Sequence, residues 1–113
     1  HIAWAMDWHA QNLIGNRKET DFPATKRKES FSANNKTKAG IIAMVSGVVD
    51  ETSGVISGFD ASQLSQIVQY GNLPRTKRQL FLILSDHVTH HRGQLMVYMR
   101  LKGIVPPQYF LYQ

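Results

Sequence analysis

Several residues and motifs are scarce or missing in this chain, and each absence removes a class of function. The sequence has no cysteine, which excludes a disulfide framework, a thiolate metal ligand and a cysteine nucleophile. Its three glutamates, Glu19, Glu29 and Glu51, do not form the Glu-x-x-His pairs of a di-iron carboxylate bundle. His-Glu-x-x-His, Gly-x-Ser-x-Gly and a glycine-rich phosphate loop are also missing, so zincin, serine-hydrolase and P-loop chemistry are not expected.

Long apolar runs are lacking too. Because no run of 18 apolar residues is evident, we expect no segment to span a membrane. No signal peptide is visible, and the lack of cysteine fits a reducing compartment, so a cytoplasmic location is predicted. A length of 113 residues is that of one domain, here residues 1–113.

Positive charge is concentrated in one stretch. The net charge is +5, and basic residues cluster between Arg17 and Lys38. Acidic residues are interspersed with them and no aromatic–basic alternation occurs, so a solvated loop is favoured over a nucleic-acid surface. A basic site for an anionic cosubstrate is the second interpretation.

Three segments have the apolar spacing of amphipathic helices. They run from His1 to about Ile14, from about residues 34–37 to Phe59, and from Lys77 to about Lys102. A capping box at Thr76 and Gln79 opens the third helix, and Gly103 ends it. The segments between and after them are predicted to be a loop at residues 17–35, a short extended arm at residues 64–70, and a tail packed back through Tyr109, Phe110 and Tyr112.

The third helix carries two histidines in its inward-facing stripe. At 100° per residue, His87 and His91 fall within about 40° of the line that starts at Leu80. Rings at positions i and i+4 can reach one metal ion at about 2.0–2.1 Å. The alternative is a pair of core histidines that carbonyl groups or water satisfy. The same stripe predicts that its apolar members are buried, namely Leu80, Leu84, Val88, Leu95 and Tyr98.

Two histidines leave a metal ion under-coordinated, so a third ligand should come from a neighbouring helix. The candidate third ligands are His1, His9 and the carboxylates. Of the carboxylates, only Asp7 and Asp86 lie near a histidine in the sequence. Three helices leave one side of an inward-facing histidine pair open. The helical pattern also starts at His1 with no N-cap before it. We therefore expect that a preceding helix of the bundle is missing from this chain.

The last helix resembles that of the DinB-like (YfiT-like) superfamily. The resemblance lies in His87-x-x-x-His91-Arg92-Gly93-Gln94 and in the exit Tyr98-Met99-Arg100-Leu101-x-Gly103-x-x-Pro106-Pro107. The start, His1-Ile2-Ala3-Trp4, resembles the family's second helix, which opens with another ligand. The resemblance implies an all-α four-helix bundle, often homodimeric. About three of the bundle's helices, with a short extended arm before the last, are then present here, and the first is missing.

The resemblance also implies a divalent metal ion, zinc or nickel, held by His1, His87 and His91, with His9 as the fallback third ligand. Characterised relatives are bacillithiol transferases and mycothiol-dependent maleylpyruvate isomerases. The implied function is therefore a low-molecular-weight-thiol-dependent S-transferase that acts on small molecules in stress or detoxification. Arg92 is a candidate contact for the cosubstrate's carboxylate, although a surface ion pair explains it equally well.

Two alternatives to the transferase stay open. One is a metal-dependent hydrolase, in which the metal activates water instead of a thiol. The other is a non-catalytic metal-binding bundle related to stress or DNA damage. Nucleic-acid binding is not expected. The family is named for its induction by DNA damage, and the name says nothing about contacts with DNA.

Overall fold

The computed structural model describes residues 1–108, and this part of the chain is mostly helical, with four α-helices and one small two-stranded sheet. The predicted packing of Tyr109, Phe110 and Tyr112 lies outside the described residues. The elements in chain order are α1 (Ile2–Asp7), a π-helix (Trp8–Ile14), α2 (Ala24–Ser30), α3 (Lys38–Ser57), a 3-10 helix (Ala61–Ser65), β1 (Ile67–Tyr70), β2 (Leu73–Thr76) and α4 (Lys77–Leu101).

The three predicted helices are present. The first is α1 continued without a break by the π-helix, and residues 2–14 are called the first helix below. The second and third are α3 and α4. The predicted capping box is confirmed: the Thr76 hydroxyl accepts from the Gln79 N–H, and the Gln79 side chain accepts from the Thr76 N–H at 2.9 Å. The extended arm predicted at residues 64–70 is a strand only from Ile67 to Tyr70, since Leu64 and Ser65 lie in the 3-10 helix. This strand, β1, pairs with β2 in an antiparallel hairpin, and Gly71 turns the chain with φ +58°.

The prediction of a structureless loop at residues 17–35 is wrong, because α2 lies within it. The helix has no apolar periodicity and is anchored by an ionic contact instead. The buried Arg27 guanidinium donates to the buried Asp7 carboxylate at 3.2 Å and to Glu19 at 3.1 Å. Arg17 also donates to Asp7, at 3.0 Å. Two cations of the supposed solvated loop thus form ion pairs with Asp7, and of these Arg27 is fully buried.

The first helix is the centre of the core. It supplies most of the buried apolar cluster, including Ala3, Ala10 and Ile14, while α3 contributes Val48 and α4 contributes Leu80 and Leu84. Small side chains on the first helix let the two long helices approach closely from either side. Few contacts join α3 directly to α4, so both are positioned through the first helix.

A buried lysine fixes the far end of the first helix. Lys77 is fully buried at the start of α4. Its ammonium donates to the carbonyl oxygen of Ile14 at 2.8 Å and to the side-chain oxygens of Asn16 and Gln63 at 2.9 and 3.0 Å. Burial lowers the pKa of Lys77, but all three of its protons have acceptors. This contact satisfies a carbonyl at a helix C-terminus.

The predicted burial of the inward-facing stripe of α4 is confirmed only up to the middle of the helix. Leu80 and Leu84 are buried and Val88 is half-buried. Leu95 and Tyr98 are 54% and 60% exposed, so the prediction that they are buried is wrong. The first helix lies alongside the N-terminal half of α4, and the stripe beyond His91 borders a cavity instead of a packed helix.

One helix is long and apolar enough to cross a membrane, judged by length and composition alone: α3, with a mean hydropathy of 1.4 over 18 residues. The prediction that no segment spans a membrane is not tested by this finding and stays a prediction. The same composition also suits a helix with one face on a protein core. Val48 and Thr52 of α3 are buried in that way, whereas Asp50 and Glu51 are exposed.

Removal of the α4 cap should destabilise the protein. Thr76→Ala deletes the hydroxyl that accepts from Gln79, and a lost N-cap costs about 1 kcal/mol in free energy of unfolding. Thr89→Ala is the matched control, because Thr89 is exposed in the interior of the same helix. Urea denaturation should show a lower midpoint for Thr76→Ala at a constant m-value. An equal change in both variants would argue that the cap does not stabilise α4.

Candidate metal centre

Three histidines from the two ends of the described chain meet at one place. His1 precedes α1, and His87 and His91 lie one turn apart on α4. One ligand nitrogen from each can be chosen so that all three lie within 4.8 Å of one another. The ring centroids are 5.3 Å apart for His1 and His87, 5.0 Å for His1 and His91, and 4.5 Å for His87 and His91. The site therefore brings together the three residues that the family resemblance implied.

The hydrogen bonds of His91 leave one ring nitrogen free for a ligand role. Its Nδ1 lies 2.7 Å from the Gln94 amide oxygen. An amide oxygen accepts, so the neutral tautomer that fits this contact has its proton on Nδ1 and leaves Nε2 to face a ligand. Metal-bound histidines are commonly oriented by such a bond. Gln94 is thus a positioning residue whose role sequence reasoning missed, and its place three residues after His91 on the same helix was the available signal.

His87 has an unsatisfied ring nitrogen. Its Nε2 is buried and has no hydrogen-bond partner, which costs free energy unless something else binds there. Burial lowers the pKa of His87, and the nearby His91, His9 and His90 lower it further. A neutral imidazole at neutral pH is the form that coordinates a metal ion. The donor set and its protonation therefore fit a divalent cation.

His9, the fallback ligand, lies beside this cluster and is not one of its three members. Its ring centroid is 5.7 Å from that of His87. The side chain is buried, and its Nδ1 donates to the Ala5 carbonyl oxygen at 2.6 Å. Its Nε2 has no partner. Burial lowers the pKa of His9, and the bond to Ala5 partly opposes that shift.

A local distortion of the first helix accompanies the placement of His9. The α-helical turns change to π-helical turns at Trp8. The Trp8 N–H donates to the carbonyl oxygens of both Ala5 and Trp4. Single π-helical turns inside helices occur frequently at functional sites. The ring of His9 lies against Trp8 and Tyr70, with centroids 5.2 and 5.6 Å away. These two aromatic rings pack against His9, whose own ring lies next to that of His87.

Arg92 directly follows His91 on α4 and is exposed. It does not line the cavity that reaches His1 and His91. Its role as a contact for an anionic cosubstrate stays a prediction.

Comparison with known proteins gives one match. Residues 60–112 match the model of the DinB family. That segment contains all of α4, with His87, His91 and Gln94, whereas His1 and His9 lie before it. Neither a curated protein nor a solved structure matches the chain.

The metal-free protein should lose stability in weak acid. Both His9 and His87 have a pKa below the ordinary value of 6.5. Unfolded imidazoles therefore take up protons at a higher pH than the folded ones. The free energy of unfolding should be constant above about pH 6.5 and should fall as the pH drops through the folded pKa values. Urea denaturation of the chelator-treated protein between about pH 5 and pH 8 measures this slope.

Matched variants identify the groups responsible. His87→Gln should flatten the slope, whereas His90→Gln, an exposed neighbour on the same helix, should keep most of it. Equal slopes in the wild type and in His87→Gln would argue that His87 plays no part in the loss of stability.

Proposed function

We propose that this chain, whose residues 60–112 match the DinB family model, binds one divalent metal ion and transfers a low-molecular-weight thiol to a small electrophile. The observation that carries the proposal is the convergence of His1, His87 and His91 within 4.8 Å. We propose zinc or nickel as the ion, because both accept imidazole ligands.

The whole-protein architecture that we propose is the all-α four-helix bundle of the superfamily. The first helix, α3 and α4 would be three of its helices. An apolar groove between α3 and α4 supports the proposal, because a further helix would cover it. Met6 belongs to this groove together with Val49, Ile56, Phe81 and Val88.

The residues of the site have separate tasks in this proposal. His1, His87 and His91 would hold the ion, with Gln94 keeping Nε2 of His91 unprotonated. When bound by three neutral imidazoles, the ion supplies an uncompensated +2 charge that acidifies a thiol or water beside it. The chain has no cysteine, so the thiol must come from a cosubstrate. The buried His9, packed against Trp8 and Tyr70, would cover one side of His87.

A metal-dependent hydrolase is the second candidate, since the same donor set can acidify water. One observation favours it: among the described residues that line the cavity beside His91, none is a lysine or an arginine. A thiol cosubstrate with carboxylates would need a cation from elsewhere, and Arg92 is the candidate. A non-catalytic metal-binding role is what would remain if neither substrate class turned over.

The cellular setting follows the superfamily, whose members are generally soluble. We propose a cytoplasmic homodimer that acts in stress or detoxification. Exposed apolar residues on α4, among them Leu82 at 62% and Val97 at 56%, offer a surface that a second subunit could cover.

Metal content tests the ligand set. The purified protein should hold one divalent ion per chain, and His87→Ala or His91→Ala should lose it, as measured by elemental analysis. His90→Ala, on the same helix but outside the cluster, should retain it. Gln94→Ala should weaken metal binding by roughly 10- to 100-fold, the usual effect of losing such a supporting hydrogen bond. Gln94→Glu should restore the binding, because it restores the acceptor. Unchanged stoichiometry in both His87→Ala and His91→Ala would sink the proposed metal site.

Cobalt substitution tests the thiol. A thiol that binds the metal should produce an intense sulfur-to-metal charge-transfer band in the cobalt protein, and a thiol-dependent transfer should accompany it. Glutathione, bacillithiol and mycothiol analogues are the probes. If all leave the spectrum unchanged while simple esters or amides turn over without thiol, the hydrolase replaces the transferase. If the metal is held and neither class reacts, the non-catalytic role replaces both.

A further inference from the structure

A cavity of about 380 Å³ opens directly beside the histidine cluster. It lies between the start of α1, the first turns of α3 and the C-terminal half of α4. His1 and His91 form one end of it. A concave site of this size is within the range of small-molecule pockets, which are about 300–1,000 Å³.

The rest of the cavity wall is apolar. From α3 it receives Ile41, Met44 and Val45, which stand at positions i, i+3 and i+4 and so share one helix face. Further apolar residues come from the start of α1, from α2 and the loop after it, and from α4: Ile2, Ala3, Phe31, Ala33 and Leu95. This explains why the apolar stripe of α4 continues past His91 without a packed neighbour.

Apart from His1, the polar side chains of the cavity lie on α4. Gln94 and Tyr98 line it on the same side as His91, and Tyr98 is 60% exposed. Lysine, arginine, aspartate and glutamate are absent from the described residues that line the cavity. A ligand held here would be selected by its apolar surface, with its polar end directed to His91.

We propose that this cavity binds an uncharged alkyl or aryl group of the substrate that reacts at the histidine cluster. The inference rests on the proposed function for the reaction, but the cavity itself can be tested without it. Recognition is then hydrophobic, and the electrophile is an apolar small molecule carrying its reactive group at one end. Charged metabolites of the same size would gain nothing from these walls.

Chain length provides the test. A series of straight-chain alcohols is titrated into the purified 113-residue chain, with binding followed by calorimetry and by the NMR signal of the Met44 methyl group. Each methylene buried should tighten binding about fourfold, as a gain of about 0.8 kcal/mol per CH₂ implies, until the cavity is full. An affinity that does not rise with chain length overturns the proposal.

Two variants on α3 localise the effect. Ile41→Trp places a large side chain in the cavity and should abolish the dependence on chain length. Ile42→Trp is the matched control, because Ile42 is 56% exposed on another face of the same helix and should keep the wild-type series. If Ile41→Trp does not fold, Val45→Phe takes its place on the same face. A filled-cavity variant that folds and keeps the full series overturns the proposal.

A second series separates this inference from the proposed function. Straight-chain thiols are titrated into the cobalt-substituted protein, with the charge-transfer band as the readout. Thiol affinities that rise with chain length in parallel with the alcohols support both proposals. If no band appears but alcohol affinity still rises with chain length, the cavity proposal is kept and the thiol proposal is rejected. If the band appears but the thiol affinity does not depend on chain length, and no alcohol binds, the apolar cavity proposal is rejected and the thiol proposal is kept.

Discussion

The packing of the first helix between α3 and α4 is the contact on which the rest of the structure depends. Buried Ala3, Ala5 and Ala10 leave room for close approach of the long helices, which scarcely contact each other. Polar contacts hold the same helix along its length. Asp7 receives the guanidiniums of α2 and its flanking loop, and Lys77 binds the last carbonyl. His1 can meet the α4 histidines only because this packing sets the start of the helix beside them.

The sequence was most informative where the determining contacts are local. The start of α4 follows from Thr76 and Gln79, three residues apart, and the spacing of His87 and His91 needs only the helical period. Helix α2 could not be found in this way. Its sequence is polar throughout, and it is held by the bond from Arg27 to Asp7, 20 residues away along the chain. Tertiary contacts of this kind leave no local pattern.

The candidate site shows the same division. Periodicity predicted the histidine pair, whereas His1 was one of several candidate third ligands until the family resemblance singled it out. The hydrogen bond from His9 to the Ala5 carbonyl lies where the helix becomes π-helical. No residue pattern in the sequence predicts that change of helix type. The stripe through Leu95 and Tyr98 was read as core for a related reason. Periodicity reports which helix face is apolar, but it does not report whether a packed helix or a cavity lies against it.

The distance along the chain between His1 and His87 has a consequence for folding. Closing so long a loop costs entropy before any contact between the two ends repays it, and such non-local contacts tend to form late. Helices α3 and α4 can begin to form from their own local contacts. The histidines converge only when the first helix docks. An ion would therefore bind a nearly finished fold, unlike the small zinc domains in which the metal drives folding. Metal uptake during refolding would then report the final docking step.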